Sequence, residues 1–356
     1  MEKIKHFVKA ALYVCGYYHI QRAAGLLRRP GPRLVVFVYH NVKQQSDYSA
    51  DRPSHYQIRP EVTAETLSAH LHVVKSLFPV LPLEEALNGL FSGQLERDSA
   101  AITFDDGYRS FKHLVLPILQ DLNLPATMFL ATDYVGQSQF YWWDELNQII
   151  FQLRDVDVDP AKLGSVLGAQ RTAAWFSLRS TLPGCRNFLE EVESEFRYMS
   201  KSFRSDGIAA LRELLPADRR ALLRPEEILT WDDVRELSAP SIDWGSHTCS
   251  HCGFGDESPQ TLLRELEESK ATIERETSRR VTSFAYPYGG DGDSYRQTLE
   301  LVRKSGYQYA RTMIPGFNDR RCGRLLLSAA VISGDSHSRA SIGRDIMSRL
   351  IRTPGS

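Results

Sequence analysis

Two carboxylates stand side by side at the end of an apolar run, Ala101-Ile102-Thr103-Phe104-Asp105-Asp106-Gly107. Adjacent acids repel, so one of them needs a cation nearby to stay ionised. A metal ligand beside a general base is the chemistry such a pair suits, and the glycine lets the backbone turn sharply after it. A second set of residues offers the cation site: after Ile242-Asp243-Trp244-Gly245-Ser246 comes His247-Thr248-Cys249-Ser250-His251. Spaced i and i+4, the two imidazoles share one face of a helical turn and can reach a single divalent ion. A competing arrangement takes Cys249-Ser250-His251-Cys252 as half of a structural zinc site. That needs two further ligands at matching spacing, and the chain has no second Cys-x-x-Cys. Asp106, His247 and His251 are therefore the favoured set, an open three-ligand site with room for water and substrate. A third segment, Ser283-Phe284-Ala285-Tyr286-Pro287-Tyr288-Gly289-Gly290, runs from an apolar stretch into proline, an aromatic and paired glycines. Such glycines allow close approach of backbone to a ligand, or simply a tight turn.

These residues must be carried by elements that bring them together. After Pro30-Gly31-Pro32 the chain alternates β-branched or aromatic runs with segments of helical period. Strands are predicted over 34–39, 100–104, 126–131, 241–245, 281–286, 307–312 and 326–332. Helices are predicted over 64–77, 111–122, 259–275 and 294–304. Nearly continuous apolar strands joined through helices imply a parallel sheet buried on both faces, as an α/β barrel or an open doubly wound sheet. Both put functional residues at the C-terminal ends of strands, where Asp105, Asp106 and His247 stand. From about 140 to 237 no strand is predicted, only helical patterns broken by Pro160, Pro183-Gly184, Pro216 and Pro225, so this stretch reads as a helical insertion.

Composition narrows the class. The 356 residues carry 43 basic against 44 acidic side chains and are 42% hydrophobic, which suits a soluble globular chain with a large core. A formal charge of −1 excludes the strongly basic surface of a non-specific nucleic-acid binder. Five scattered cysteines do not make a disulfide framework, and no run is long and apolar enough to span a bilayer, so a cytosolic location is expected. Residues 1–31 read as a separate amphipathic helix, with Ile4, Phe7, Val8, Ala11, Leu12, Cys15 and Tyr18 at helical spacing. Between residues 1 and 33 there are seven basic side chains and one acid. That segment is expected either to lie on anionic lipid at the cytoplasmic membrane face or to pack on its own domain, residues 32–356.

Taken in order, Thr103-Phe104-Asp105-Asp106-Gly107, His247-x-x-x-His251 and Tyr286-Pro287-Tyr288-Gly289 resemble the motifs of the polysaccharide deacetylase family, also called the NodB homology domain or carbohydrate esterase family four. The resemblance covers roughly residues 31–335, interrupted by the insertion. It implies a distorted (β/α) barrel and metal-dependent removal of acetyl groups from N-acetylated sugars of a glycan or glycan precursor. It also implies roles: Asp105 as base, Asp106, His247 and His251 as metal ligands, and the backbone N–H of Tyr288 as part of an oxyanion hole. The implied cofactor is a divalent metal, with zinc the expected ion, and the implied partner is carbohydrate. Val38-Tyr39-His40-Asn41-Val42 and Phe140-Tyr141-Trp142-Trp143-Asp144-Glu145-Leu146 resemble the branch found among enzymes of bacterial surface-glycan biosynthesis. His40, Trp143 and Pro287 are expected to bind substrate, the Trp142-Trp143 pair offering faces on which a pyranose can stack; the alternatives are a hydrogen-bonded framework role for His40 and burial against the inserted helices for the tryptophans.

Two departures stand out. The family commonly has Arg two residues before the proline of the third motif, where it orients the base, and this chain has Ala285. The family's late Leu-x-His motif, whose histidine protonates the leaving amine, is not recognisable; His337 lies in a suitable region within a polar stretch. The general acid is therefore unassigned. Two other functions stay open on this sequence, a metal-holding but catalytically poor glycan-binding protein and a hydrolase of a small or cyclic amide.

Overall fold

The computed structural model describes residues 31–49, 54–197, 199–238, 241–255, 257–289 and 292–332. The basic helix expected over residues 1–31, up to residue 30, and His337 lie outside the described residues. The chain divides into two compact units, one of residues 1–44, 61–136 and 228–356, the other of residues 45–60 and 137–227.

In the first unit each predicted apolar run supplies a strand: β1 (Leu34–Tyr39), β2 (Ser99–Phe104), β3 (Ala126–Leu130), β4 (Ile242–Ser246), β5 (Ser283–Ala285), β6 (Tyr309–Arg311) and β7 (Ala330–Val331). All pair in parallel, in the order β6-β5-β4-β3-β2-β1-β7. The longest pairing runs from Leu34↔Ser99 to Tyr39↔Phe104, so β1 and β2 end together. The last run is shorter as a strand than its sequence predicts because its first residues serve the opposite edge of the sheet. Leu327 bridges to Arg311 of β6, donating its N–H to the Ala310 carbonyl at 2.9 Å and accepting from the Thr312 N–H at 2.8 Å. Five residues on, Ile332 donates to the Val38 carbonyl of β1 at 2.9 Å. One segment thus touches both edges and draws the curled sheet into a distorted barrel.

Strand alternation sorts the core into two layers. Leu34, Val36 and Val38 point inward with Ala101, Phe129, Ala285 and Tyr309, where they pack with Leu83, Ala86, Leu87 and Leu90 of the helix Leu83–Ser92. That helix is tied to the strand starts: Asn88 accepts from the Tyr309 hydroxyl at 2.7 Å and Glu84 from the Thr282 hydroxyl at 2.7 Å. The N-terminal end of the barrel is therefore filled, and the C-terminal rim is left for a site. Val35, Phe37 and Tyr39 point outward with Ile102, Phe104, Met128 and Phe284, under Leu67, Leu71 and Val74 of the helix Ala64–Leu77 and Leu262, Leu266 and Ile273 of the helix Pro259–Thr277.

The second unit is helical and has its own core. The helices Trp142–Leu153, Pro160–Leu167, Ala169–Leu178, Leu182–Arg197 and Lys201–Glu213 pack around Leu146, Ile150, Trp175, Phe188, Val192 and Leu211. Its bounds differ from the insertion expected at 140–237. Residues 45–60 join it, Ile58 entering its core, whereas the helix Trp231–Leu237 belongs to the first unit and packs Val234 and Leu237 on the outer layer of the barrel.

Candidate active site

At the end of β2 the Asp105 N–H still donates to the Tyr39 carbonyl, at 3.0 Å, and then the backbone turns. Asp106 (φ +71°) and Gly107 (φ +77°) are both left-handed. Asp tolerates this conformation better than most residues, and glycine suits position 107, where a Cβ would lie 2.9 Å from Leu130 Cδ2. The turn leaves both carboxylates buried at the rim.

At the end of β4 the His247 N–H donates to the Leu130 carbonyl at 2.9 Å. The helical turn expected for His247 to His251 is not what brings the two rings together. Thr248 (φ +68°) and His251 (φ +54°) are left-handed, so the segment is an irregular loop that folds back on itself. The rings meet edge to face, with centroids 4.6 Å apart. Asp106 Oδ1 lies 3.6 Å from His247 Nε2 and 3.4 Å from His251 Nε2, and one ligand atom from each of the three residues falls within 4.8 Å of the others. This is the one such grouping of His, Cys, Asp and Glu among the described residues. His247 Nδ1 sits 2.7 Å from the Ala285 carbonyl. Donation of an Nδ1 proton to that carbonyl leaves the Nε2 lone pair facing Asp106, which is the tautomer a metal ligand needs.

The electrostatics agree with a cation site. Burial, joined by the charge of His251, pulls the His247 imidazole down to about 4, so it is neutral and able to ligate at pH 7. Burial opposes the charge on Asp106, but the hydrogen bond and charge of His251, with His40 and His247, outweigh it and hold the carboxyl well below the usual carboxylate range. An ionised carboxylate and two imidazoles converging at one buried point form a donor set that fits a divalent transition metal.

Asp105, 1% exposed, takes a different partner. Its Oδ1 receives the guanidinium of Arg311, itself 2% exposed and lying with Cζ 4.9 Å above the Phe129 ring. Arg311 is the register partner of Ala285 across β5 and β6. The position where the resemblance calls for arginine holds alanine, and the adjacent strand supplies the guanidinium. Sequence reasoning missed this residue, although a signal existed: Arg311 is an arginine within a predicted strand, and a buried charge needs a partner.

His40, at the end of β1, has Nε2 3.8 Å from Asp105 Oδ2 and a side chain 29% exposed. Tyr288 (φ +61°) carries the turn after β5 and sets its ring edge-on to His251, at 4.7 Å and 87°. Pro287 is buried beside it in the chain. Trp143 is in the helical unit, 6% exposed and stacked on Tyr141 at 4.6 Å, which leaves little of the ring for a sugar to cover.

Comparison with known proteins gives one answer. The family model described as polysaccharide deacetylase matches residues 92–152 and 208–310, a span that holds Asp105, Asp106, His247, His251 and Tyr288. YxkH of Bacillus subtilis (strain 168), which carries the polysaccharide deacetylase name, is 29% identical over 105 residues. The match takes in 30% of this chain and 37% of that protein, so the chain aligns with little over a third of its relative. Among solved structures, the Streptococcus pyogenes deacetylase PplD in complex with acetate superposes with a TM-score of 0.54 at 15% identity, covering 90% of this chain and 99% of its own. IcaB from Ammonifex degensii gives 0.53 at 14%, covering 88% and 98%. At such identities these structures establish the barrel. On that barrel, the matched family model over residues 92–152 and 208–310 and the three motifs in their order make the chain similar to the polysaccharide deacetylase family.

Proposed function

We propose that this chain hydrolyses acetamido groups on N-acetylated sugars of a glycan or glycan precursor, using Asp106, His247 and His251 to hold a divalent metal and Asp105 as the base. The observation that carries the reading is the division of labour between the two adjacent aspartates: Asp106 faces the two imidazoles and Asp105 faces Arg311. Two nitrogen donors and one carboxylate oxygen suit zinc. When bound, the cation supplies a Lewis acid for the amide carbonyl and lowers the pKa of a water from ~15.7 towards ~7.

The protein's own groups account for the proton movements. Arg311 occupies Oδ1 of Asp105, so Oδ2 is the oxygen left to take the proton of the attacking water. As the carbonyl carbon becomes tetrahedral, the N–H of Tyr288 is the donor assigned to its oxygen, a contact worth on the order of 3 kcal/mol of barrier. The C–N bond breaks only if the nitrogen leaves as an amine, which needs a proton. His40, on the other side of Asp105 Oδ2, is the imidazole outside the ligand set that is placed to deliver it. The products are acetate and a free amino sugar.

Metal analysis of purified variants tests the assignment. Alanine at Asp106, His247 or His251 strips metal and activity together, whereas Asp105→Asn keeps the metal and loses turnover. Loss of metal from Asp105→Asn would reverse the roles of the two aspartates.

A further inference from the structure

We infer that Glu265 is the positioning residue that sets the backbone between the two histidines, and through it the affinity of the site for its metal; this rests on the metal-site reading above. Thr248 is β-branched and left-handed, at φ +68°, and His251 is left-handed at φ +54°. Such conformations persist only where the surroundings fix them. From the side of β3, the Thr132 N–H holds the Thr248 carbonyl at 3.2 Å and the Asp133 N–H holds the Cys249 carbonyl at 2.9 Å. From the other side comes a single buried carboxylate. Glu265 Oε2 accepts the successive N–H groups of Cys249 and Ser250, both at 2.8 Å, and Oε1 accepts the Ser250 hydroxyl at 2.9 Å. Two consecutive N–H groups aimed at one oxygen form an anion-binding nest, and here the anion is a side chain of the protein.

Glu265 is well anchored for this. One turn further along the same face of the helix Pro259–Thr277, Ser269 Oγ lies 2.7 Å from Ser246 Oγ at the end of β4. The helix thus grips the strand with Ser269 and the loop after it with Glu265, just before His251. Glu265 acts through the N–H groups of Cys249 and Ser250 and the Ser250 hydroxyl, and its neutral isostere would exchange these charge-assisted hydrogen bonds for weaker neutral ones.

The test uses the full chain and reads zinc affinity, by competition with a chromophoric chelator, together with the visible absorption of the cobalt-substituted protein. Glu265→Gln is expected to weaken zinc binding roughly 10- to 100-fold, the usual effect of losing a group that orients metal ligands, and to alter the cobalt bands. Ser250→Ala, which removes one of the three hydrogen bonds, weakens binding by a smaller factor. Ser269→Ala, which loosens the anchor of the helix on β4 but leaves the carboxylate on the loop, weakens binding less than Glu265→Gln does. A folded Glu265→Gln protein with affinity within about twofold of the parent and the same cobalt spectrum would overturn the inference. So would equal losses in Ser269→Ala and Glu265→Gln. If Glu265→Gln does not fold, Ser250→Ala decides, and parent-like binding there overturns it. A parent chain that binds neither zinc nor cobalt would overturn the metal-site reading itself, and this inference with it.

Discussion

Arg311 is the residue on which the proposed base depends. It is buried against Asp105, and taking one partner from a buried ion pair costs about 3–5 kcal/mol because the other charge is left uncompensated. Arg311→Ala should therefore lower both stability and turnover, kcat falling by on the order of 100-fold while metal content is kept. Arg311→Lys should recover part of the loss, since a point charge replaces a planar fork. Steady-state kinetics beside metal analysis checks this, and an unchanged kcat in Arg311→Ala would remove Arg311 from the account. His247 makes a second prediction at this scale. Its folded pKa of about 4 lies below the ordinary 6.5, so on acidification the unfolded chain takes up the proton first. The stabilisation from keeping the ring neutral is complete above about pH 6.5 and lost as pH falls to about 4, a difference of roughly 3 kcal/mol. Urea unfolding of the metal-free protein at pH 7 and pH 4 should show that loss, and His247→Gln should show less of it. An equal acid loss in both proteins would assign the effect elsewhere.

At the scale of the elements, three loops at strand ends carry the site, and each turns through residues of positive φ: Asp106 and Gly107, Thr248 and His251, Tyr288 and Gly289. Gly289 has the least latitude, because a Cβ there would fall 2.0 Å from Met313 Cγ and 2.3 Å from Met313 Cβ at φ +50°. Gly289→Ala should cost roughly 2–4 kcal/mol from overpacking and backbone strain together. It should also reduce kcat by shifting the turn that carries Tyr288. Thermal unfolding and kinetics of this variant check both, and parent-like values would mean that the turn does not position the site. The strands were legible because apolar runs between turn residues announce them, and so were the aspartate and histidine motifs at their ends. The path from His247 to His251 was not, because spacing alone cannot distinguish a helical turn from a loop with two left-handed residues. Arg311 escaped for a related reason. Its link to Asp105 depends on β6 lying beside β5 with Arg311 opposite Ala285, and register between strands is absent from linear spacing.

For the whole molecule, the barrel explains why residues as distant in sequence as His40, Asp105, His247, Tyr288 and Arg311 converge. Parallel strands end on one rim, the helix Leu83–Ser92 fills the opposite end, and the segment 325–332 closes the sheet. Residues 45–60 joined the helical unit without any periodicity to announce it, because membership there was decided by packing around Ile58. The central claim is that this rim is a metal-dependent deacetylase centre with Asp105 as its base. The most direct measurement is acetate release from a panel of N-acetylated glycans by zinc-loaded protein, with zinc-loaded Asp105→Asn alongside. The account predicts acetate, with exposed amino sugar in equal amount, from the parent and none above background from Asp105→Asn. Equal acetate from both proteins, or none from a parent that holds its zinc, would contradict it.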